Sequence, residues 1–188
     1  MGRWEPDARG RLEKAALELY TQRGFDQTTV AEIAERAGLT KRTFFRHFTD
    51  KRDVLFAGSG HLQELVVTAV AGAPEPATPI AAVVAGLDAA AKLLQERWPG
   101  ARDRQAVITA NPELRERELI KLANLVAGIA TALRDRGVAP RAANLTAEAG
   151  IAAFRCGFED WVARPEQHDL ATLIRESLDE LRAATEAL

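Results

Sequence analysis

"GLTKRTFFRHFTDK", residues 38–51, sets Lys41, Arg42, Arg46, His47 and Lys51 against one acid, Asp50, and keeps three rings, Phe44, Phe45 and Phe48. A solvated face calls for the charges and a core calls for the rings. A short helix buried on one side and pressed on an anionic partner on the other calls for both. On a helix over 41–47, Phe44 and Phe48 are four apart and share one side. Lys41, Arg42 and Arg46 project from the other.

The flanking sequence supplies the support for such a helix. Residues 7–23 place Leu12, Ala16, Leu19 and Tyr20 at helical spacing, and Gly24 stops that helix. Thr29 and Glu32 stand three apart as a capping box, which fixes the next start. Val30, Ile33, Ala34 and Ala37 give that second helix its inner face. Gly38 makes the turn, Thr40 caps the helix over 41–47, and Asp50 or Thr49 caps a longer helix from Lys51 to about Ala71. Helix, tight turn at a glycine, helix is a helix-turn-helix, and its second helix has the dimensions to enter the major groove of B-DNA.

The remaining sequence is also helical. Its 188 residues are 47% apolar, which is enough for a sizeable core, and they are rich in Ala, Leu, Glu and Arg. "GAPEPATP", residues 72–79, is a turn or short linker, after which Thr78 and Pro79 start a helix that reads to Trp98. "WPGARDR" interrupts it, and a short helix follows around 102–109. Asn111 and Pro112 open a long helix to about Arg136. Two last helices span about 142–163 and 169–187, with a break at Arg164 and Pro165. No segment alternates with a period of two, so the fold class is all-α.

Net charge is −2 overall, yet residues 1–53 carry 11 Lys/Arg against 9 Asp/Glu, and the remainder carries 14 against 18. Six cations fall between Arg36 and Arg52, and a local basic surface is what a polyanion reads. The lone Cys156 excludes an intramolecular disulfide and reads as a buried, inert thiol. The N-terminus is polar, and no apolar run approaches the roughly 20 residues needed to cross a bilayer, so a cytoplasmic protein with no membrane partner is expected. The histidines, His47, His61 and His168, are isolated and show no metal-ligand spacing with Cys156. There is no phosphate-binding loop, dinucleotide fingerprint or nucleophile elbow. The expectation is therefore no enzyme, no cofactor and no metal.

"TTVAEIAERAGLTKRTFFRHFTDKRDVL", residues 28–55, resembles the DNA-binding segment of the tetracycline-repressor (TetR) family of bacterial transcriptional regulators, and the likeness extends over about residues 10–56. It implies a nine-helix architecture, with a DNA-binding head at 1–53 and a helical ligand-binding and dimerisation domain at 54–188. It further implies a homodimer on a palindromic double-stranded operator, released when a small-molecule effector binds the larger domain. Carried over by position, Thr40, Lys41, Arg42, Thr43, Phe45, Arg46 and His47 would face DNA, with Thr29 and Lys51 as phosphate contacts at helix starts. Arg42 and Lys41 lead for reading bases, because long donors suit guanine O6 and N7. His47 is open between DNA contact and bracing the helix, and Arg3 and Arg9 between a groove-reaching arm and disorder. The family usually has Tyr at the position of Phe45. Phe45 lacks the hydroxyl, so either that contact is absent or the ring touches a thymine methyl or a sugar.

For the larger domain, small residues in "LDAAAKLLQERW" and "LANLVAGIATALRD" mean either tight packing or room for a ligand. The candidate lining is the set Leu65, Leu87, Leu94, Trp98, Ile108, Leu122, Val126, Ile129, Phe154 and Phe158, each of which alone reads more readily as plain core. Few charges interrupt these faces, so the effector is expected to be largely apolar. Leu170, Leu173, Ile174, Leu178 and Leu181 form a near-heptad stripe that, with Ile151, Phe154, Phe158 and Trp161, is open between a dimer interface and intramolecular packing. An all-α small-molecule-binding protein without DNA activity is the rival reading, and it gives no use to the six clustered cations.

Overall fold

A computed structural model describes residues 7–96, 98–163 and 169–186, apart from the side chains of Trp98 and Pro99. These residues form ten α-helices and no strand. They divide into two compact units, one of residues up to Gly58 with Asp103–Glu116, the other of Ser59–Arg102 and Arg117 onward. The sequence boundary at 53/54 left Asp103–Glu116 with the larger domain. In the structure Val107, Ile108 and Leu114 are buried in the core of the first unit.

The first unit holds α1 (Ala8–Arg23), α2 (Val30–Arg36), α3 (Lys41–His47) and α4 (Lys51–Leu55). Its core gathers Leu12, Leu19, Tyr20, Phe25, Ile33, Ala34, Phe44 and Phe48. The starts of α2 to α4 follow the expected caps: the Thr29–Glu32 capping box is complete, Thr40 Oγ1 accepts from the Thr43 N–H, and Asp50 accepts from the Asp53 N–H. The turn between α2 and α3 places Gly38 at φ 66°, a conformation that L side chains rarely adopt. There the Gly38 N–H bonds Glu35 O at 2.9 Å and the Leu39 N–H bonds Ala34 O at 2.8 Å, which closes α2.

Two expected elements differ. The single helix from Lys51 to Ala71 is two, α4 and α5 (Ser59–Ala71), because Gly58 takes φ 82° between them. This split takes the expected nine helices to ten among the described residues. "WPGARDR" begins α7 (Trp98–Ala110) rather than interrupting a helix, since proline is tolerated in a first turn, where its missing N–H has no partner to lose. The break expected at Arg164 and Pro165 lies outside the described residues.

The second unit packs α5, α6 (Pro79–Gln95), the later part of α8 (Pro112–Asp135), α9 (Pro140–Ala163) and α10 (Leu170–Glu186). "GAPEPATP" is a short connection that joins α5 to α6 within this unit. Arg136 fixes it, donating to Ala71 O, Ala73 O and the Glu75 carboxylate at 2.9, 2.8 and 2.7 Å. No described helix is long and apolar enough to cross a membrane. Cys156 is exposed, not buried as its apolar surroundings in sequence suggested, because α9 turns that position away from the α6 and α10 side.

Small residues here serve close helix packing. A Cβ on Gly157 would lie 2.8 Å from the Ile174 nitrogen and 2.9 Å from the Leu173 carbonyl carbon, so α9 and α10 touch backbone to side. Gly157→Ala must push α10 away and is expected to lower stability by about 1–3 kcal/mol. Gly60→Ala, whose Cβ would meet nothing within 4 Å, serves as the control. Thermal unfolding of both variants checks this, and equal midpoints would show that the crossing is not tight.

Candidate nucleic-acid interface

α3 is held from beneath by its rings. Phe44 is fully buried, and its ring lies 5.5 Å from that of Phe48, which is also buried. α1 supplies two polar ties to the same frame. The Arg11 guanidinium donates to Ala37 O at the inter-helix turn, and the Tyr20 hydroxyl donates to Lys51 O at 2.6 Å. Burial, with the nearby charge of Asp50 adding to it, keeps the Tyr20 phenol proton on well above the usual range. Arg104 secures the far edge, donating to Leu55 O at 2.7 Å with its guanidinium 5.4 Å from the Phe56 ring centre. Arg11 and Arg104 are positioning residues that the sequence reading missed. Their partners are 26 and 49 residues away, and no local spacing signals such pairs.

The expected DNA-facing residues fall into three groups. Lys41, Arg42, Phe45 and Arg46 are exposed on α3, and none of the three cations has an ion-pair partner among the described residues. Thr29 and Thr40 are exposed but occupied as caps: the Thr29 hydroxyl donates to Glu32 Oε2 at 2.8 Å, and Thr40 Oγ1 lies 3.0 Å from Thr43 Oγ1. Thr43 and His47 are half-buried. The His47 Nε2 atom is shut off from solvent with no hydrogen-bond partner among the described residues, which fits bracing better than free display.

Lys51 departs most from expectation. Its Nζ donates to Phe25 O, Asp26 O and Thr28 O at 2.8, 3.2 and 3.1 Å and sits 4.3 Å from the Phe25 ring centre. Hydrogen bonds from a charged donor contribute about 1.5–3 kcal/mol each, so exchanging three for one solvent-screened phosphate contact is unfavourable. The ammonium closes the α1–α2 loop instead of standing free. Of the six clustered cations, Arg36 and Arg52 are also committed. Arg36 pairs with Glu18 at 3.0 Å, and Arg52 pairs with Asp50 at 2.8 Å and with Glu113 at 3.4 Å. Arg9 pairs with Glu13 and covers the Phe48 ring, so it is not a free arm; Arg3 lies outside the described residues.

The acids of this frame stay ionised. Burial alone would raise the Asp50 carboxyl, but hydrogen bonds from the Arg52 side chain and the Asp53 N–H outweigh it and hold Asp50 below the usual range. Glu32 is lowered by the Thr29 backbone and hydroxyl, with Arg23 adding. Fixed negative charge therefore lies beside Arg52 and Arg23.

In the second unit the expected lining residues are mostly core. Leu87, Ile129 and Phe154 are buried, while Leu94, Leu122, Val126 and Phe158 are half-buried against that core. Leu65 is half-buried, Ile108 belongs to the first unit's core, and the Trp98 side chain lies outside the described residues. A hollow of about 490 Å³ between α5 and α8 is bordered by Gln63, Val67, Asn124, Ala127, Gly128 and Thr131, none of them in the expected set. Of the stripe residues, Ile151, Trp161, Leu170, Leu173 and Ile174 are buried within the chain's own α6–α9–α10 core. Leu178 is half-buried and Leu181 is 38% exposed. No group of three or more His, Cys, Asp or Glu suited to a metal ion occurs among the described residues.

The family described as bacterial regulatory proteins, tetR family, matches residues 12–57, and that described as the MftR C-terminal domain matches residues 77–186. The regulator TcmR of Streptomyces glaucescens is 36% identical over 75 residues, which are 40% of this chain and 33% of TcmR. The chain thus spans about a third or less of the curated relatives it matches first. The fold agrees with that of the regulator FadR from Bacillus subtilis in complex with stearoyl-CoA (22% identical, 90% of this chain and 95% of that one, TM-score 0.62). It also agrees with the SmeT–triclosan complex (21% identical, 94% and 90%, TM-score 0.66), SmeT being the repressor of a Stenotrophomonas maltophilia multidrug efflux pump. With both its head and its larger domain matched, the chain belongs to the tetracycline-repressor family of transcriptional regulators, which are not enzymes.

Proposed function

We propose that this regulator is a repressor that binds a palindromic operator as a homodimer and is released by a largely apolar small molecule. The observation that carries the DNA half is a set of exposed α3 cations, Lys41, Arg42 and Arg46, with no ion-pair partner among the described residues, of which Arg42 and Arg46 stand opposite the buried Phe44. The flanking cations of the same stretch are engaged, Arg36 and Arg52 by acids and Lys51 by carbonyls, so α3 is where this surface meets a polyanion. Thr43 and the caps Thr29 and Thr40 lie at its margins, and Lys51 acts through the loop it closes. Replacing Arg42 and Arg46 by Ala removes two charge-assisted contacts per half-site. It is expected to reduce specific operator affinity at least about a hundredfold in a fluorescence titration while leaving the helical circular dichroism unchanged. Unchanged affinity would sink the assignment.

For the dimer, the burial of Leu173 and Ile174 inside the chain moves the proposed interface outward, to the face of α9 and α10 that carries Leu178 and Leu181. Leu181→Glu alters an exposed position and is expected to give folded monomers in sedimentation. A mutant dimer of wild-type stability would place the interface elsewhere.

For the effector, the apolar, small-residue packing of α5, α6, α8 and α9 supports a ligand that enters by parting helices rather than by filling an open chamber. Structural neighbours are seen with stearoyl-CoA and with triclosan, which are therefore the starting probes. An effector of this class is expected to lower operator affinity by about five- to 150-fold. A panel of long-chain acyl and halogenated aromatic compounds that leaves DNA binding untouched would argue against the release mechanism.

A further inference from the structure

Phe45 is the one phenylalanine, tyrosine or tryptophan exposed among the described residues, at 56%, beside a Phe44 at 0%. Isolated exposed aliphatics such as Leu145 are ordinary on any surface. Phe45 differs in where it stands. At 100° per residue, Arg42, Phe45 and Arg46 lie within an arc of about 100° on α3, with Arg42 between the other two. With Thr40 and Thr43 they border a hollow of about 650 Å³. The ring meets Phe44 edge to face, centroids 5.5 Å apart and planes at 83°, so its direction is set by the buried ring beneath it.

A phenyl ring has no conventional hydrogen-bond donor or acceptor for a base edge or a phosphate. In the major groove the C5-methyl of thymine is the apolar group that the four base edges present. We infer that Phe45 is a specificity-determining residue that reads the C5-methyl of one thymine in each half-site. Side chains three and four apart on a helix have Cβ atoms about 5–6 Å apart, and base steps rise about 3.4 Å. The thymine therefore lies within about two steps of the guanine that Arg42 or Arg46 contacts. This inference rests on the proposal that α3 enters the major groove. A ring against a deoxyribose at the groove rim is the competing contact, and it is blind to the methyl.

The test selects binding sites for the full chain from a random duplex library and then replaces each thymine of the enriched half-site by deoxyuridine, which removes only the methyl. Wild type is expected to lose about fourfold in affinity at one thymine per half-site, the effect of one buried methyl. Phe45→Ala, with helical content checked by circular dichroism, is expected to bind the thymine and uracil duplexes alike. Phe45→Leu retains part of the difference. Deoxyuridine duplexes that bind wild type as well as thymine duplexes, or an equal uracil penalty in Phe45→Ala, would overturn the inference while leaving the regulator assignment intact. A library from which no sequence is enriched would overturn both.

Discussion

The burial of Phe44 is the constraint on which the exposed, cationic surface of α3 depends. α3 has 7 residues, far below the roughly 12–15 at which an isolated helix becomes even marginal in water. It exists because Phe44 is drawn into a core with Leu12, Ile33 and Phe48. Burying one such ring contributes about 1.5–3 kcal/mol, whereas an exposed ion pair contributes about 0–1. Hydrophobic burial therefore sets the rotation of the helix about its axis, and the cations point outward as a consequence. The same burial orients Phe45, whose ring rests edge-on against Phe44.

Charge in the head is divided by task. Arg11, Lys51 and Arg104 spend their donors on backbone carbonyls at turns and helix ends, where the unpaired groups are. Arg23, Arg36 and Arg52 pair with acids on the surface. On α3, Lys41, Arg42 and Arg46 have no ion-pair partner among the described residues. A near-neutral chain can in this way present a strongly positive, short surface without a basic composition.

The second unit uses its small residues for proximity. Gly157 lets α9 lie on the backbone of α10, and Gly86 admits Val70 of α5 to within 2.7 Å of where a Cβ would be. Packing of this kind is dense and strongly interlocked, so displacement of one helix is transmitted to its neighbours. The apolar stripe on α10 is consumed by this packing over Leu170–Ile174 and reaches the surface only toward Leu181.

The head was legible in sequence because its signals are local: a capping box needs residues three apart, a turn needs Gly38, and two rings four apart define a buried side. The caps of α2, α3 and α4, the all-α class and the outward cations of α3 follow from spacings within one or two helical turns. What such spacings cannot carry is the partner of a long side chain. Lys51 and Arg42 look alike in sequence, yet only the tertiary structure brings the Phe25–Thr28 carbonyls to the Lys51 Nζ and leaves Arg42 without a counter-ion among the described residues. Apolar periodicity is equally silent about what it packs against. It announces the stripes on α9 and α10, but a helix in the same chain buries most of their surface as well as a second subunit would. The sequence by itself determined the all-helical class and the apolar side of most helices, because those depend on neighbours along the chain. The tertiary structure alone decided which charges are spent and which faces are covered, because those depend on neighbours in space.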